Sequence, residues 1–331
     1  MMTNYCSLFD KNYLIFGIAL YQSLLKIDTT FTLYILAMDK ECEKILNELN
    51  LSSVIVVSLD NVITDQYHFV YEQMSFAQTC WTCQPLLCKF ILNHYEVPSI
   101  TYLEADSYFF DDPEKLIQQI GSNSVSLVPH AYSKGQDQSK IAGIYCVQFN
   151  FFKNDLNARK MLQDWEDSCL KYDKNNRRYL PGQLCLDTWP ARFEGVKIIE
   201  DIGAGTAPWN LESYRLRMVD GNLYINSSRI NFYHFHELTF YGNDQIYISS
   251  YRISPEAREL IYKPYIQKLA CIKKMLAMKF PEFNSYKILT LPTFFASICS
   301  FNWGSMRLYA RYANLRLIGR FSKNCISMNN I

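Results

Sequence analysis

Strand-length apolar runs punctuate the first half of the chain: "FTLYILAM" (31–38), "VIVVSL" (54–59) and "SITYLEA" (99–105), with "GIYCVQFNFF" (143–152) further on. Each is rich in β-branched or aromatic residues. Each is apolar without alternation, as a strand covered on both faces should be. Between them apolar residues recur at helical spacing. In "YLIFGIALYQSLLK", Leu14, Ile18, Tyr21, Leu24 and Leu25 share a face behind Asp10 or Asn12 as a cap. "KECEKILNEL" and "PLLCKFILNHY" fill the next two gaps, and "NARKMLQDWEDSCLKY" follows the last strand with Met161, Leu162, Trp165, Cys169 and Tyr172 on one side. Strands alternating with helices in this order predict an α/β protein with an open, mostly parallel sheet and helices on both faces. "KNNRRYLPG" reads as a loop, and "GNLYINSSRINFYHFH" as a hairpin or strand pair ending in two histidines.

From about residue 256 the pattern becomes basic and helical, in "PEARELIYKPYIQKLACIKKMLAMKF" and then "SMRLYARYANLRLIGRF". Charge sharpens that boundary. Residues 263–331 hold eleven Lys and Arg against a single acid, Glu282, while the net charge of all 331 residues is only +1. The expected organisation is a domain over 1–255 and a basic helical region over 256–331 that rests on an anionic partner, such as a lipid surface. No base-reading motif accompanies the basic residues, so nucleic acid is not expected as the partner.

Hydrophobic residues make up 49% of the chain and charged residues 20%, which is the balance of a folded globular protein. Eleven cysteines, an odd number without small-scaffold spacing, fit free thiols in a reducing compartment. "MMTNYCSLFDKNYLIF" places Asp10 and Lys11 where a signal peptide needs an apolar core. The expected location is cytoplasmic, on the cytoplasmic face of a membrane. The chain has no Walker-type phosphate loop, no dinucleotide glycine motif and no G-x-S-x-G elbow, which turns the reading away from ATPases, dehydrogenases and serine hydrolases.

The candidate chemistry gathers at "YLEADSYFFDDPE". Ligands of open α/β sheets bind at the carboxyl ends of the strands. Glu104 and Asp106, with only Ala105 between them, stand at such an end. Hard divalent cations, Mg²⁺ or Mn²⁺, prefer carboxylate oxygens and share their shell with substrate phosphates. One acid of such a pair can meet the metal while the other meets a sugar hydroxyl. The His234-Phe235-His236 step is a second constellation, since alternate residues of a strand point to one side. Cys80, Cys83 and Cys88 in "CWTCQPLLC" have no second matching pair at zinc-finger spacing, so buried structural thiols are expected.

The acid pair, with the series "LFDKNYLIFGIALYQSLLK", "CWTCQPLLCKFIL", "GIYCVQFNFFKN", "GQLCLDTWP", "APWNL" and "FYHFH", resembles nucleotide-sugar glycosyltransferases of the GT-A fold over residues 5–240. The resemblance is greatest to bacterial polysaccharide-type transferases related to the glycogenin and lipopolysaccharide galactosyltransferase family. It implies a metal-dependent, retaining hexosyltransferase that uses a UDP-sugar and a glycan or lipid-linked acceptor in surface polysaccharide synthesis. It also implies that Glu104 and Asp106 hold Mn²⁺ or Mg²⁺ with His234 or His236. Asp10, Asn12 and Tyr13 would lie near the nucleotide with Glu104 and Asp106, and Gln183 and Asp187 would stand by the donor sugar with Asp106. Weaker pocket candidates are His130, Cys146 and Gln148, and Trp209 in the turn Pro208–Asn210. Two positions depart from the family pattern: Glu104 replaces the usual aspartate, and Gly182 stands where relatives carry an acid. Those departures suggest an alternative, a catalytically impaired relative that binds a sugar nucleotide or a partner transferase without turnover.

Overall fold

In the computed structural model, which describes residues 2–27, 30–63, 74–171, 181–241, 245–283 and 325–327, the apolar runs become strands of one sheet. β1 (Thr3–Phe9), β2 (Phe31–Ala37), β3 (Val54–Ser58) and β4 (Ser99–Leu103) run parallel in the spatial order β3-β2-β1-β4. Every residue of β2 is buried, as a strand covered on both faces must be. β1 is the least apolar of the four, with Asn4 and Ser7 buried among its hydrophobic residues, and its polar content conceals it from a search for apolar runs.

Past β4 the sheet becomes mixed. β8 (Phe149–Lys153) lies antiparallel between β4 and β6 (Val125–Pro129), and β6 also pairs with β7 (Tyr145–Cys146) and with β9 (Val196–Ile198). The stretch 143–152, expected as one strand, is therefore two, broken at Val147 and Gln148. There Val147 donates its amide to Gln183 Oε1, and Gln148 gives its carbonyl to the amide of Glu104. The break ties this strand to the acid pair.

The helices start where local chemistry caps them. Asp39 accepts from the Cys42 amide ahead of the helix Lys40–Leu49, Ser75 and Gln78 form a reciprocal capping box before Phe76–His94, and Asp155 accepts from Ala158 ahead of Leu156–Leu170. The helices Phe76–His94 and Leu156–Leu170 are joined by Lys89, which pairs with Glu166, a carboxylate only 2% exposed. Trp165 and Trp189 fill the apolar cluster beside that pair. Among the described residues nine cysteines are free; Cys83 and Cys88 lie in the core, and Cys88 Sγ is 3.8 Å from Cys6 Sγ.

The chain forms two compact units, Met1–His234 and Phe235–Ile331. The first holds the whole of the large sheet and a three-stranded one of β10 (Leu216–Val219), β11 (Asn222–Ile225) and β12 (Ser228–Arg229). The second holds the antiparallel strands β14 (Thr239–Tyr241), β15 (Gln245–Tyr247) and β16 (Cys325–Ser327), with the helix Lys263–Lys279. That helix buries Tyr265, Ile266, Leu269, Ile272 and Leu276, and the Phe235 ring stacks on Tyr265 at 3.6 Å. The change of charge near residue 262 falls inside this second unit. The helix expected over 305–321 and positions 174–180 of the loop expected over 174–182 lie outside the described residues, while Pro181 and Gly182 of that loop open the short helix Pro181–Leu184.

Candidate functional site

Glu104 leaves the carboxyl end of β4 on the Gln148 carbonyl, 3.4 Å from its own amide. Its side chain accepts from Gln84 Nε2 at 2.9 Å, and the same nitrogen reaches the Tyr102 hydroxyl at 3.1 Å. Gln84 is buried in the helix Phe76–His94 immediately before Pro85. No sequence motif named it; the one available signal was an amide in an otherwise apolar helical stretch. Burial and the neighbouring Asp106 charge push the Glu104 carboxyl up to about 8, with His234 pulling it back. Asp106, two residues on, is only 9% exposed.

A short ladder brings a histidine to this pair. β5 (Ser107–Phe109), directly after Asp106, pairs antiparallel with β13 (Phe232–His234), placing His234 opposite Ser107. The His234 amide donates to Thr206 at 2.9 Å, which fixes the strand on its other side. His234 Nε2 then lies 3.1 Å from Asp106 Oδ1, and Nδ1 lies 3.0 Å from Gln148 Oε1. Burial opposes charge on this imidazole, but Asp106 and Cys146 outweigh it and raise its pKa well above the usual value. Cys146 is also buried, which alone would raise its thiol; His130 and His234 bring it down to about 6 instead. The two residues that share a face around the strand break, Cys146 and Gln148, thus both meet His234.

His236 is not placed as the alternation predicts. β13 ends at His234, a turn begins at His236, and this residue belongs to the second unit, where its ring lies 6.4 Å from Tyr251.

Gln183 and Asp187 act on the main chain around Cys146. Gln183 donates to the Ala142 carbonyl and accepts from Val147 at 3.2 Å, and its Nε2 is 3.5 Å from His130 Nε2. Asp187 accepts from the amides of Ile144, at 2.7 Å, and Tyr145, at 3.3 Å. Gly182 faces elsewhere: a Cβ there would lie 2.7 Å from Cys169 Sγ and 3.3 Å from Trp165 Nε1, inside the apolar cluster. A side chain at 182 therefore starts out toward the core. Trp209 is buried, donating to the His130 carbonyl at 2.8 Å with its ring 5.3 Å from His234, so it backs the histidine and offers no open platform.

Asp10 accepts from the amides of Asn12 and Tyr13 and from the Asn12 side chain, which turns the chain from β1 into the helix Leu14–Ile27. Tyr13 is 43% exposed, and enclosure of its hydroxyl together with the Asp106 and Glu104 charges raises its phenol strongly.

Whether the residues present suit a cation can be judged from their chemistry. Among the described residues no three His, Cys, Asp or Glu side chains already converge as a ligand cluster; His234 closes on Asp106 instead. The donors nevertheless fit a hard divalent ion: two carboxylates and an imidazole whose second nitrogen is engaged by an amide. Burial, with the Asp106 charge beside it, raises the Glu104 carboxyl to about 8, so a cation held here would have to displace its proton.

No protein-family model matches the chain. Two proteins of Bacillus subtilis (strain 168) are similar to it. "Uncharacterized protein YfnD" is 26% identical over 262 residues, spanning 76% of this chain and 84% of that one. "Uncharacterized protein YfnF" is 25% identical over 301 residues, spanning 86% and 98%. Among solved structures, the galactosyltransferase LgtC, in complex with donor and acceptor sugar analogs, matches with a TM-score of 0.53 at 11% identity over 81% of this chain and 96% of that one. The apo form of the glycosyltransferase GlyE of Streptococcus pneumoniae TIGR4 matches with a TM-score of 0.51 at 12% identity, over 84% of this chain and 64% of that one. The fold is therefore GT-A, in agreement with the expected α/β architecture.

Proposed function

We propose that this chain is a glycosyltransferase that transfers a sugar from a UDP-sugar to a glycan or lipid-linked acceptor. Mn²⁺ or Mg²⁺ would be held by Glu104, Asp106 and His234. The observation that carries the reading is the β5–β13 ladder, which sets a buried imidazole 3.1 Å from the second acid of a pair at a strand's carboxyl end. LgtC, which shares the fold, was solved with donor and acceptor sugar analogs, and that supports a sugar-transfer role. A divalent cation at these residues supplies Lewis-acid stabilisation of the charge that builds on a departing nucleotide diphosphate. The chain's own residues bind and orient. Asp10, Asn12 and Tyr13 border the nucleotide, and Tyr13 offers a ring that is exposed on one side and held near the acids. Gln183 and Asp187 hold 142–147 as the wall against which the donor sugar lies. Configuration is proposed to be retained, on the resemblance alone.

The alternative, binding without turnover, drew on Gly182 as a lost acid. Its Cβ direction into the Trp165 and Cys169 cluster supports a packing role for this position and weakens that argument. UDP release from a panel of UDP-sugars, with Mn²⁺ and again with EDTA, tests the reading. Metal-dependent release from one donor is expected, and Asp106→Asn should abolish it. Metal-dependent binding of UDP without release from any donor, acceptor fragments included, would transfer the case to the alternative.

A further inference from the structure

Gln148 is fully buried, with an exposure of 0%, yet it carries an amide in the midst of apolar strands. Burying an amide costs free energy unless its hydrogen bonds are remade. Here the backbone carbonyl receives the Glu104 amide, and the side-chain Oε1 faces His234 Nδ1 at 3.0 Å. Nε2 has no hydrogen-bond partner among the described residues. It packs against Gly205, which adopts a left-handed φ of +88°; a Cβ there would lie 2.3 Å from Nε2 and 2.6 Å from Val128 Cγ1. The absence of a side chain at 205 is what gives the Gln148 amide its seat.

We propose that Gln148 is a positioning residue: by accepting from Nδ1–H it fixes the tautomer of His234, so that Nε2, the nitrogen facing Asp106, is the atom available to a divalent cation. This rests on the cation site proposed above and adds to it a residue outside the ligand set. An imidazole with one N–H presents one lone pair, and the partner of the N–H decides which nitrogen keeps it. With Oε1 fixed on Nδ1, the ring binds through the edge that looks toward the acids, with no rotation. Removing the acceptor frees the ring to exchange tautomers, with the buried Cys146 thiol and the Asp106 carboxylate as its remaining neighbours. Glutamate at 148 retains the acceptor, whereas leucine has similar bulk and none.

The test uses the full chain and two readouts. The ring of His234 is read in the protein loaded with diamagnetic Mg²⁺, where Asp106 is no longer the acceptor facing Nε2, from long-range ¹H–¹⁵N correlations assigned with His234→Gln. Mn²⁺ binding is read by electron paramagnetic resonance of the free ion. The parent should show Nδ1–H and bind Mn²⁺. Gln148→Leu should lose that signature and bind Mn²⁺ roughly 10–100-fold more weakly, and Gln148→Glu should restore both. A parent ring in the Nε2–H form overturns the proposal, as does a folded Gln148→Leu that binds Mn²⁺ as tightly as the parent. Should Gln148→Leu not fold, Gln148→Glu decides: loss of Mn²⁺ binding with the acceptor kept overturns the proposal. A parent that takes up no Mn²⁺ removes the cation reading itself, a failure distinct from that of Gln148.

Discussion

Glu104 and His234 make the site's charge depend on pH in one direction. The Glu104 carboxyl, raised from its ordinary 4.5 to about 8, stays protonated through neutrality, and His234, also raised, keeps its proton. A cation must displace both. Mn²⁺ affinity should therefore rise with pH, on the order of tenfold or more between pH 6.5 and 8.5, measured by calorimetry in several buffers to count released protons. Equal affinity at the two values would mean that neither group ligates. The same shifts act on the stability of the metal-free protein. Both groups bind protons more tightly folded than unfolded, so their contribution should decline as pH rises from about 5 through 8. Cys146, lowered to about 6, binds its proton less tightly folded and offsets part of that decline above pH 6. At Gly182 the expectation is steric. Gly182→Ala forces a Cβ to 2.7 Å from Cys169 Sγ, and overpacking of about 1–3 kcal/mol should exceed the gain in helix propensity of up to about 1 kcal/mol. A lowered Tm is the outcome to look for, and an unchanged one would show that the cluster yields.

The elements that decide the site are short. β5 and β13 are three residues each, and neither has a pattern that distinguishes it from turn. β2 is legible because burial on both faces requires apolar residues almost throughout, and β3, a partly buried edge strand, is legible from its run of Val and Ile. β1 is not, since Asn4 and Ser7 interrupt it. The break between β7 and β8 is likewise invisible in "GIYCVQFNFF", because what separates them is a hydrogen bond donated by Val147 to a residue 36 positions away, Gln183. Between the helices Phe76–His94 and Leu156–Leu170, Lys89 compensates a carboxylate that is almost wholly buried. Lys89→Met should cost up to about 3 kcal/mol, the lower part of the range for breaking a buried pair, because Lys89 itself is partly exposed. Joint replacement by methionine at 89 and 166 should recover most of that loss in denaturant titrations. If the single variant is as stable as the parent, the pair adds nothing net to stability.

At the scale of the whole molecule, the excess of basic residues beyond 262 sits on a second unit whose helix Lys263–Lys279 exposes Lys263, Lys274 and Lys279. Among the described residues no helix is long and apolar enough to cross a membrane. We expect the full chain to bind vesicles containing anionic lipid, with affinity falling steeply as salt rises from 50 to 300 mM, and to ignore neutral vesicles. Binding to both alike, or salt-independent binding, would remove the proposed surface attachment. Residues 284–324 supply much of that charge and lie outside the described structure.

Sequence alone determined the class of fold and the strand end that carries Glu104 and Asp106, because burial periodicity is a local consequence of residue type. It also named His234, though it could not separate it from His236: alternation gave both one face, and only the end of β13 parted them. The tertiary structure decided the rest. Gln84 joined the site by packing one helix on β4, Gly182 turned into the core, and Gln183 and Asp187 turned to main-chain amides. The Gln148 contact with His234 spans 86 residues. Contacts at such separation are fixed by how the sheet closes and not by any neighbour in the chain, which is why residue patterns could point to the acids and not to what surrounds them.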